Sequence, residues 1–559
     1  MTFVKDILSI FFKKGVFFNK IDIQKIRLSI FLYFIISILE LLSLGFLIVI
    51  VLSLLDFQND LFRNFEFLKN FEKKNILLFF LFLITLKYLA QIFLYYFEKK
   101  IYRNLQNSFL SSLIINYFYS TNDNYYHNIN HSSIISNIVV EVRAVFISFF
   151  RPASDFFSES IIIIFLVIFL IFLSGPTVFF AFLVALILLF IFLKKLSKLA
   201  NKWGRKRVAT NSELVSFIGG LLNNLSLIKI FHKENYFTTQ IQSLYFIVTN
   251  AEFLEDLGQK LFRIILEAFI IFIFILFLYH LLNKGNSNEI LTNIIAIFIP
   301  FLRVVPAFLK INTSLNKMLY AYPSVIELKK NADNFSQYNH KDLIPSETIN
   351  FNDEIKINNV FFGYDQNNFV LKNLNLNFKK NQKYLIIGVS GSGKTTLGEI
   401  LMGLRKANSG EFKVDKLNFN PFEDYKWKNL FSYVPQDIFL LNTSIKNNIA
   451  FGEYKENINE IKIRESLINM NMSDIDMNLQ IKNFGKNLSG GQKQRIGICR
   501  ALYFDKEIII MDEPTSALNN FDSVKIIEDI LKLNKTIIVI SHDKNITPYF
   551  KNIINLNKL

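Results

Sequence analysis

Long apolar runs crowd residues 28–309, whereas residues 351–559 alternate short β-branched runs with polar stretches. A helix needs about 20 apolar residues to cross about 30 Å of hydrocarbon. Stretches 28–55, 76–97, 149–173, 176–193, 261–282 and 290–309 meet that requirement, so six membrane-spanning helices are predicted. Ser174, Gly175 and Pro176 are expected to break the helix between the third and fourth spans, because these residue types favour a tight turn. The cytoplasmic connections of about 50 and 65 residues lack the Gly/Ser/Pro content of linkers and are predicted to continue the spans as helices. Their turns, near 117–133 and 219–237, are candidates for docking onto the second domain. The second domain is predicted to be an α/β fold, because β-branched runs recur between polar, helix-compatible stretches.

Charge orients the membrane part. Glu98, Lys99, Lys100 and Arg103 follow the second span, and Lys194, Lys195, Lys198, Lys202, Arg205, Lys206 and Arg207 follow the fourth. Basic flanks stay on the cytoplasmic side, so both termini are expected there. Lys5, Lys13, Lys14, Lys20, Lys25 and Arg27 precede the first span. They suggest a basic amphipathic elbow on the membrane surface rather than a cleaved leader. The expected organisation is an elbow over 1–27, a membrane domain over 28–325, a linker over 326–350 and a second domain over 351–559.

The formal charge of +16 is explained by basic residues beside apolar runs, where anionic headgroups attract them. No basic stripe with interleaved aromatics points to nucleic acid. The single cysteine, Cys499, forms no internal disulfide, and the six histidines lack zinc-ligand spacing, so no structural zinc is expected. No internal repeat is evident, so the chain is not expected to be folded from duplicated halves.

Within the spans lie Glu40, Lys87, Arg263, Glu267 and Arg303. Burying a charge in lipid is costly unless it is paired or solvated, and two readings stay open. Glu40 pairs with Lys87 and Arg263 with Glu267, one turn along; alternatively, Arg263 and Arg303 face a central cavity and grip an anionic headgroup.

The segment LIIGVSGSGKTTL at 385–397 carries GxxxxGKT after a strand. In it Gly388, Ser390, Gly391, Ser392, Gly393, Thr396 and their neighbours form a loop whose amides curl around phosphates. Lys394 reaches the outer oxygens, and the Thr395 hydroxyl faces Mg2+. The apolar run 508–511 ends at Asp512 and Glu513, with Asp512 placed to hold the magnesium shell and Glu513 to polarise the attacking water. Between them stand Leu488, Ser489, Gly490, Gly491 and Gln492, a hydroxyl and glycine amides at a predicted helix start that make a further anion site.

LSGGQ between those two motifs resembles the signature of the ATP-binding cassette family, and the resemblance covers most of the chain. It implies an all-α exporter-type membrane domain joined to an α/β P-loop ATPase, with ATP and Mg2+ as cofactors. It also implies a second half-transporter, expected to be an identical copy, whose nucleotide is met by Ser489, Gly490, Gly491 and Gln492. Tyr364 in VFFGYD resembles the aromatic that stacks on adenine, Gln436 in YVPQD the glutamine that senses magnesium and water, and His542 in VISHD the histidine on the γ-phosphate.

Two positions depart from the family: Asn519 replaces the usual Asp after the acidic pair, and IKNFGKN before the signature lacks the usual Gly-Glu. The first bears on communication between nucleotide sites and the second on coupling between subunits; hydrolysis is expected to persist. In the membrane half SILELLSLGFL, LKY, FRIILE and FLRVVP, with Tyr322 and Pro323 beyond, are similar to lipid-linked oligosaccharide flippases and related glycolipid exporters. The resemblance implies outward movement of an amphiphilic glycolipid in a bacterial plasma membrane. The alternatives are a general lipid or multidrug exporter and, more remotely, a soluble cassette ATPase. A peptide exporter is disfavoured by the absence of a protease domain ahead of the spans.

Overall fold

The computed structural model describes residues 20–54, 73–118, 131–282, 287–335, 349–365, 368–389, 391–516, 518 and 520–557. Most of the expected elbow, the connection 55–72, most of the predicted docking turn near 117–133, most of the expected linker over 326–350, Ser390 and Asn519 lie outside the described residues. The chain divides into two compact units, one essentially Met1–Tyr338 and the other Asn339–Leu559.

The first unit is helical: α1 Lys20–Leu54, α2 Lys73–Phe118, α3 Arg151–Asn223, α4 Glu234–Leu282 and α5 Ser287–Phe335. Residues 20–27 join the first span in one helix, since nothing between them breaks helical hydrogen bonding. Helix α2 runs 46 residues and α4 and α5 run 49 each, well past the 20 or so that a bilayer needs. Among the described residues, two stretches, Leu77–Phe118 and Ser132–Ile168, are long and apolar enough to cross a membrane.

The 73 residues of α3 cannot form one straight rod. Glu159 of α3 accepts from Lys310 at 3.2 Å and Arg207 of α3 donates to Ser324 at 2.8 Å. Lys310 and Ser324 are about 21 Å apart along α5, whereas Glu159 and Arg207 would be about 72 Å apart along a straight helix. The chain therefore doubles back between them. Arg207 also reaches Glu141 at 3.0 Å, and arms of equal rise from that pair meet midway, at about Ser174. The reversal lies between Glu159 and Arg207, a stretch that contains the predicted Ser174-Gly175-Pro176. What differs from expectation is that residues 174–176 are themselves helical. Where α3 crosses α5, a Cβ on Gly204 would lie 2.1 Å from the Tyr320 carbonyl oxygen, so only glycine permits this approach.

The second unit contains a four-stranded antiparallel sheet, in the order β2-β1-β4-β5, and a five-stranded parallel sheet, in the order β6-β7-β8-β3-β9. Strands β1 Glu354–Asp365, β2 Asn368–Lys379, β4 Ser409–Val414 and β5 Leu417–Phe419 make the first sheet. Strands β3 Lys383–Ile387, β6 Phe431–Val434, β7 Ile508–Asp512, β8 Thr536–Ile540 and β9 Asn552–Asn555 make the second. Strands β7 and β8 are buried at every position, which is why they read as unbroken Ile/Val runs rather than alternating ones. Helices α6 Lys394–Leu401, α7 Gly490–Tyr503 and α8 Asn520–Leu531 complete the parts that matter below.

Candidate functional site

Because β3, β6, β7 and β8 run parallel, the loops leaving their carboxyl ends gather at one edge, where open α/β sheets place their ligands. Gln436 follows β6, Glu513 follows β7, His542 follows β8 and the glycine loop follows β3. Together with Tyr364, Gly388, Gly391, Gly393, Lys394, Thr395 and Thr396, they line one cleft of about 860 Å³. The sequence motifs, up to 178 positions apart along the chain by the numbers Tyr364 and His542, thus become one site.

Gly393 has φ 87° and opens α6; a side chain there would be strained by its left-handed backbone and would meet Val370 at 2.8 Å. Lys394, the first residue of α6, is buried and donates to the carbonyls of Gly388 at 2.9 Å and Val389 at 3.0 Å. Its ammonium therefore arches back over the loop and, among the described residues, no carboxylate lies within ion-pair distance of it. Amides at the start of α6 and this cation together make a site for anionic oxygens.

Asp512 is buried at the end of β7. Burial raises its carboxyl above the ordinary carboxylate value, opposed by a hydrogen bond from Thr395 and the charge of Lys394. One of its oxygens, Oδ1, is buried with no hydrogen-bond partner, as is the Ser392 hydroxyl. An unpartnered carboxylate oxygen beside a threonine hydroxyl is a hard-oxygen donor set that suits Mg2+. Asp512 and Thr395 would hold the ion, with Gln436 lining the same cleft.

Glu513 has a left-handed backbone, φ 47°, a conformation that costs a non-glycine residue about 1 kcal/mol or more. Its amide donates to the Ile540 carbonyl at 2.8 Å, which holds the residue there. Its Oε1 lies 2.7 Å from His542 Nδ1, the imidazole being 68% exposed and the carboxylate 11%. Ser541 donates to Oε2 at 3.4 Å. The carboxylate is thus aimed into the cleft and keeps acceptor capacity for a water.

The signature residues stand apart from this cleft. Ser489 caps α7: its Oγ accepts from the Gln492 amide at 3.2 Å, and Gln492 Oε1 accepts from the Ser489 amide at 2.9 Å. Accepting leaves the Ser489 hydroxyl proton available to an outside anion. Ser489 and Gly490 are exposed, and Gly491 is partly so.

In the helical unit both ion pairs of the first reading form. Lys87 lies 3.5 Å from Glu40, and Arg263 lies 2.7 Å from Glu267, these two side chains being 67% and 44% exposed. Arg303 is held by Glu40 and, at 2.9 Å, by Glu159; Lys310 then bridges Glu159 and Asp155. Sequence reading missed Asp155 and Glu159, although both lie inside a predicted span, where carboxylates are themselves a signal. It also did not bring together the buried set Glu141, Arg207 and Ser324, because those residues fall outside the predicted spans, where charge is unremarkable.

The family model described as "ABC transporter" matches residues 371–516. The chain is 28% identical over 374 residues to the lactococcin-G-processing and transport ATP-binding protein of Lactococcus lactis, covering 64% of this chain and 52% of that one. It is 31% identical over 275 residues to the ATP-dependent lipid A-core flippase 2 of Colwellia psychrerythraea, 44% and 46% of the two chains. It is 38% identical over 200 residues to the energy-coupling factor transporter ATP-binding protein EcfA1 of Mesomycoplasma hyopneumoniae, 34% of this chain and 73% of that one. The alignments to the first two relatives span about half the length of those proteins. Among solved structures, a bacterial Atm1-family ABC exporter with ATP bound superposes with a TM-score of 0.75 over 94% of this chain and 92% of that one, at 15% identity. That likeness is one of fold: a helical exporter-type domain joined to a P-loop ATPase.

Proposed function

Because the chain belongs to the ABC transporter family, whose ATPase domain takes ATP with Mg2+ as its usual partner ion, we propose that it hydrolyses ATP in the cleft and uses it to move an amphiphile across a membrane. The observation that carries this reading is the meeting, at one sheet edge, of an unopposed Lys394, an unpartnered Asp512 oxygen and a pre-aimed Glu513. Lys394 and the α6 amides bind the triphosphate oxygens. Glu513 accepts a proton from the attacking water, and His542 holds that carboxylate in place. Bound Mg2+ would neutralise charge gathering on the phosphate oxygens.

In this reading two copies act together, Ser489, Gly490, Gly491 and Gln492 of one closing on the ATP held by the other. The closed pair binds ATP more tightly than the open one, and that difference shifts the helical units between arrangements. The protein sits in a bacterial plasma membrane with both termini cytoplasmic. Its cargo is an amphiphile with an anionic headgroup, foremost a lipid-linked oligosaccharide or other glycolipid. The flippase-like segments, the exposed guanidinium of Arg263 and the likeness to a lipid A-core flippase support this; Arg303 is taken up by Glu40 and Glu159. A peptide cargo is the second reading, favoured by the likeness to a lactococcin processing and transport protein.

Purified protein in vesicles, given labelled polyprenyl-linked sugars, phospholipids and peptides with ATP, tests both. ATP-dependent flipping of the linked sugars, lost in Ser489→Ala with nucleotide binding retained, is expected. Transport of peptides alone would replace the glycolipid reading, and full turnover by Ser489→Ala would remove the paired-site scheme.

A further inference from the structure

Tyr364 is 63% exposed at the mouth of the cleft, yet three contacts fix its ring. Arg405 lies over one face with its guanidinium carbon 5.1 Å from the ring centroid. Phe362 meets the ring edge-on at 5.2 Å. The phenolic oxygen is 3.0 Å from the Thr396 hydroxyl. Arg405 itself is buried and held by Glu399 at 2.7 Å.

We infer that Arg405 is a positioning residue for the nucleotide base, acting through Tyr364. Thr396 and Glu399 both belong to α6, the helix that begins with Lys394, and Arg405 follows its end. The helix that grips the phosphates therefore also supports the platform for the base, and the distance between the two is set by one rigid element. A cation beneath an aromatic face draws on its negative quadrupole, which leaves the opposite face better suited to stack on another π-system. A ring held before binding also loses less freedom on binding.

The inference rests on the cleft taking ATP, as proposed above, and its test separates the two ideas. Binding of ATP and of inorganic tripolyphosphate to the full-length protein is measured, with KM and kcat for hydrolysis. In Arg405→Gln the KM for ATP is expected to rise about fivefold, with kcat nearly unchanged and tripolyphosphate affinity unaltered. In a Tyr364→Ala background the same substitution is expected to add almost nothing. Arg405→Lys, which keeps the charge beside Glu399 but loses the planar group, should give an intermediate rise and is read alone if Arg405→Gln loses its melting transition.

Equal weakening of ATP and tripolyphosphate, or an Arg405 effect that persists without Tyr364, would overturn the inference, as would an unchanged KM in both Arg405 variants. A wild-type protein that binds tripolyphosphate but gains nothing from the base would also overturn it, leaving the phosphate site standing. Failure of the wild type to bind either would remove the nucleotide reading itself.

Discussion

Among the helices, Lys87, Arg303 and Lys310 meet Glu40, Glu159 and Asp155, three cations against three carboxylates linked in one chain of contacts. At the cleft, Lys394 rests on backbone carbonyls, Asp512 keeps an oxygen without a partner and Glu513 shares its carboxylate with an exposed histidine. The first set neutralises itself; the second leaves charge and hydrogen-bonding capacity unspent. A self-satisfied network holds helices together and has little left for a ligand, whereas incomplete satisfaction in a cleft is what a polar ligand completes.

That contrast can be broken experimentally. Glu513→Gln should lower kcat for ATP by about a thousandfold while ATP still binds, because it removes a general base without altering shape; comparing single-turnover hydrolysis with nucleotide binding checks it. Arg303→Ala should destabilise the helical unit by about 1.5–3 kcal/mol, because Glu40 and Glu159 keep Lys87 and Lys310 but lose their guanidinium hydrogen bonds and one carboxylate is left in excess, seen as a drop in melting temperature in detergent. Adding Glu159→Gln, which leaves Lys87 on Glu40 and Lys310 on Asp155, should recover part of that loss, and no recovery would mean that Arg303 acts through something other than this network.

Arg263→Ala should shift the melting temperature less than Arg303→Ala, since it breaks one ion pair rather than two. It should lower transport of cargo with an anionic headgroup, and undiminished transport would count against the headgroup role. The smallest effect is expected from Asp512→Asn in nucleotide-free protein. Because folding raises the Asp512 carboxyl, the protonated form is favoured by the fold. Its stabilising contribution is complete below the ordinary value of 3.8 and is lost as pH rises through the elevated one. Asp512→Asn should therefore melt slightly higher than wild type near neutral pH, with the difference vanishing in acid, and should lose its response to Mg2+. A lower melting point at neutral pH would contradict the burial argument.

The cleft was largely legible in advance because its parts are contiguous motifs whose geometry is local. GxxxxGKT after a strand specifies a turn with left-handed glycines, and an apolar run ending in Asp512-Glu513 specifies a buried strand with acids at its tip. Arg405 was not legible: nothing in its neighbourhood marks it, and its contact with Tyr364 joins positions on different elements. The Lys87–Glu40 pair was legible because adjacent spans must satisfy buried charge, whereas the further links from Glu40 through Arg303 to Glu159 depend on which faces of α1, α3 and α5 meet.

By itself the sequence determined what short-range chemistry dictates: where apolar runs are long enough for lipid and which loops can cradle phosphate. Tertiary structure alone decided which distant charges cancel, how the arms of α3 pack back on α5 so that Gly204 must be bare, and which side chain supports the Tyr364 ring. The reason is physical. Hydrogen bonding and backbone conformation act over a few residues, whereas charge pairing and packing act across space and have no fixed spacing along the chain.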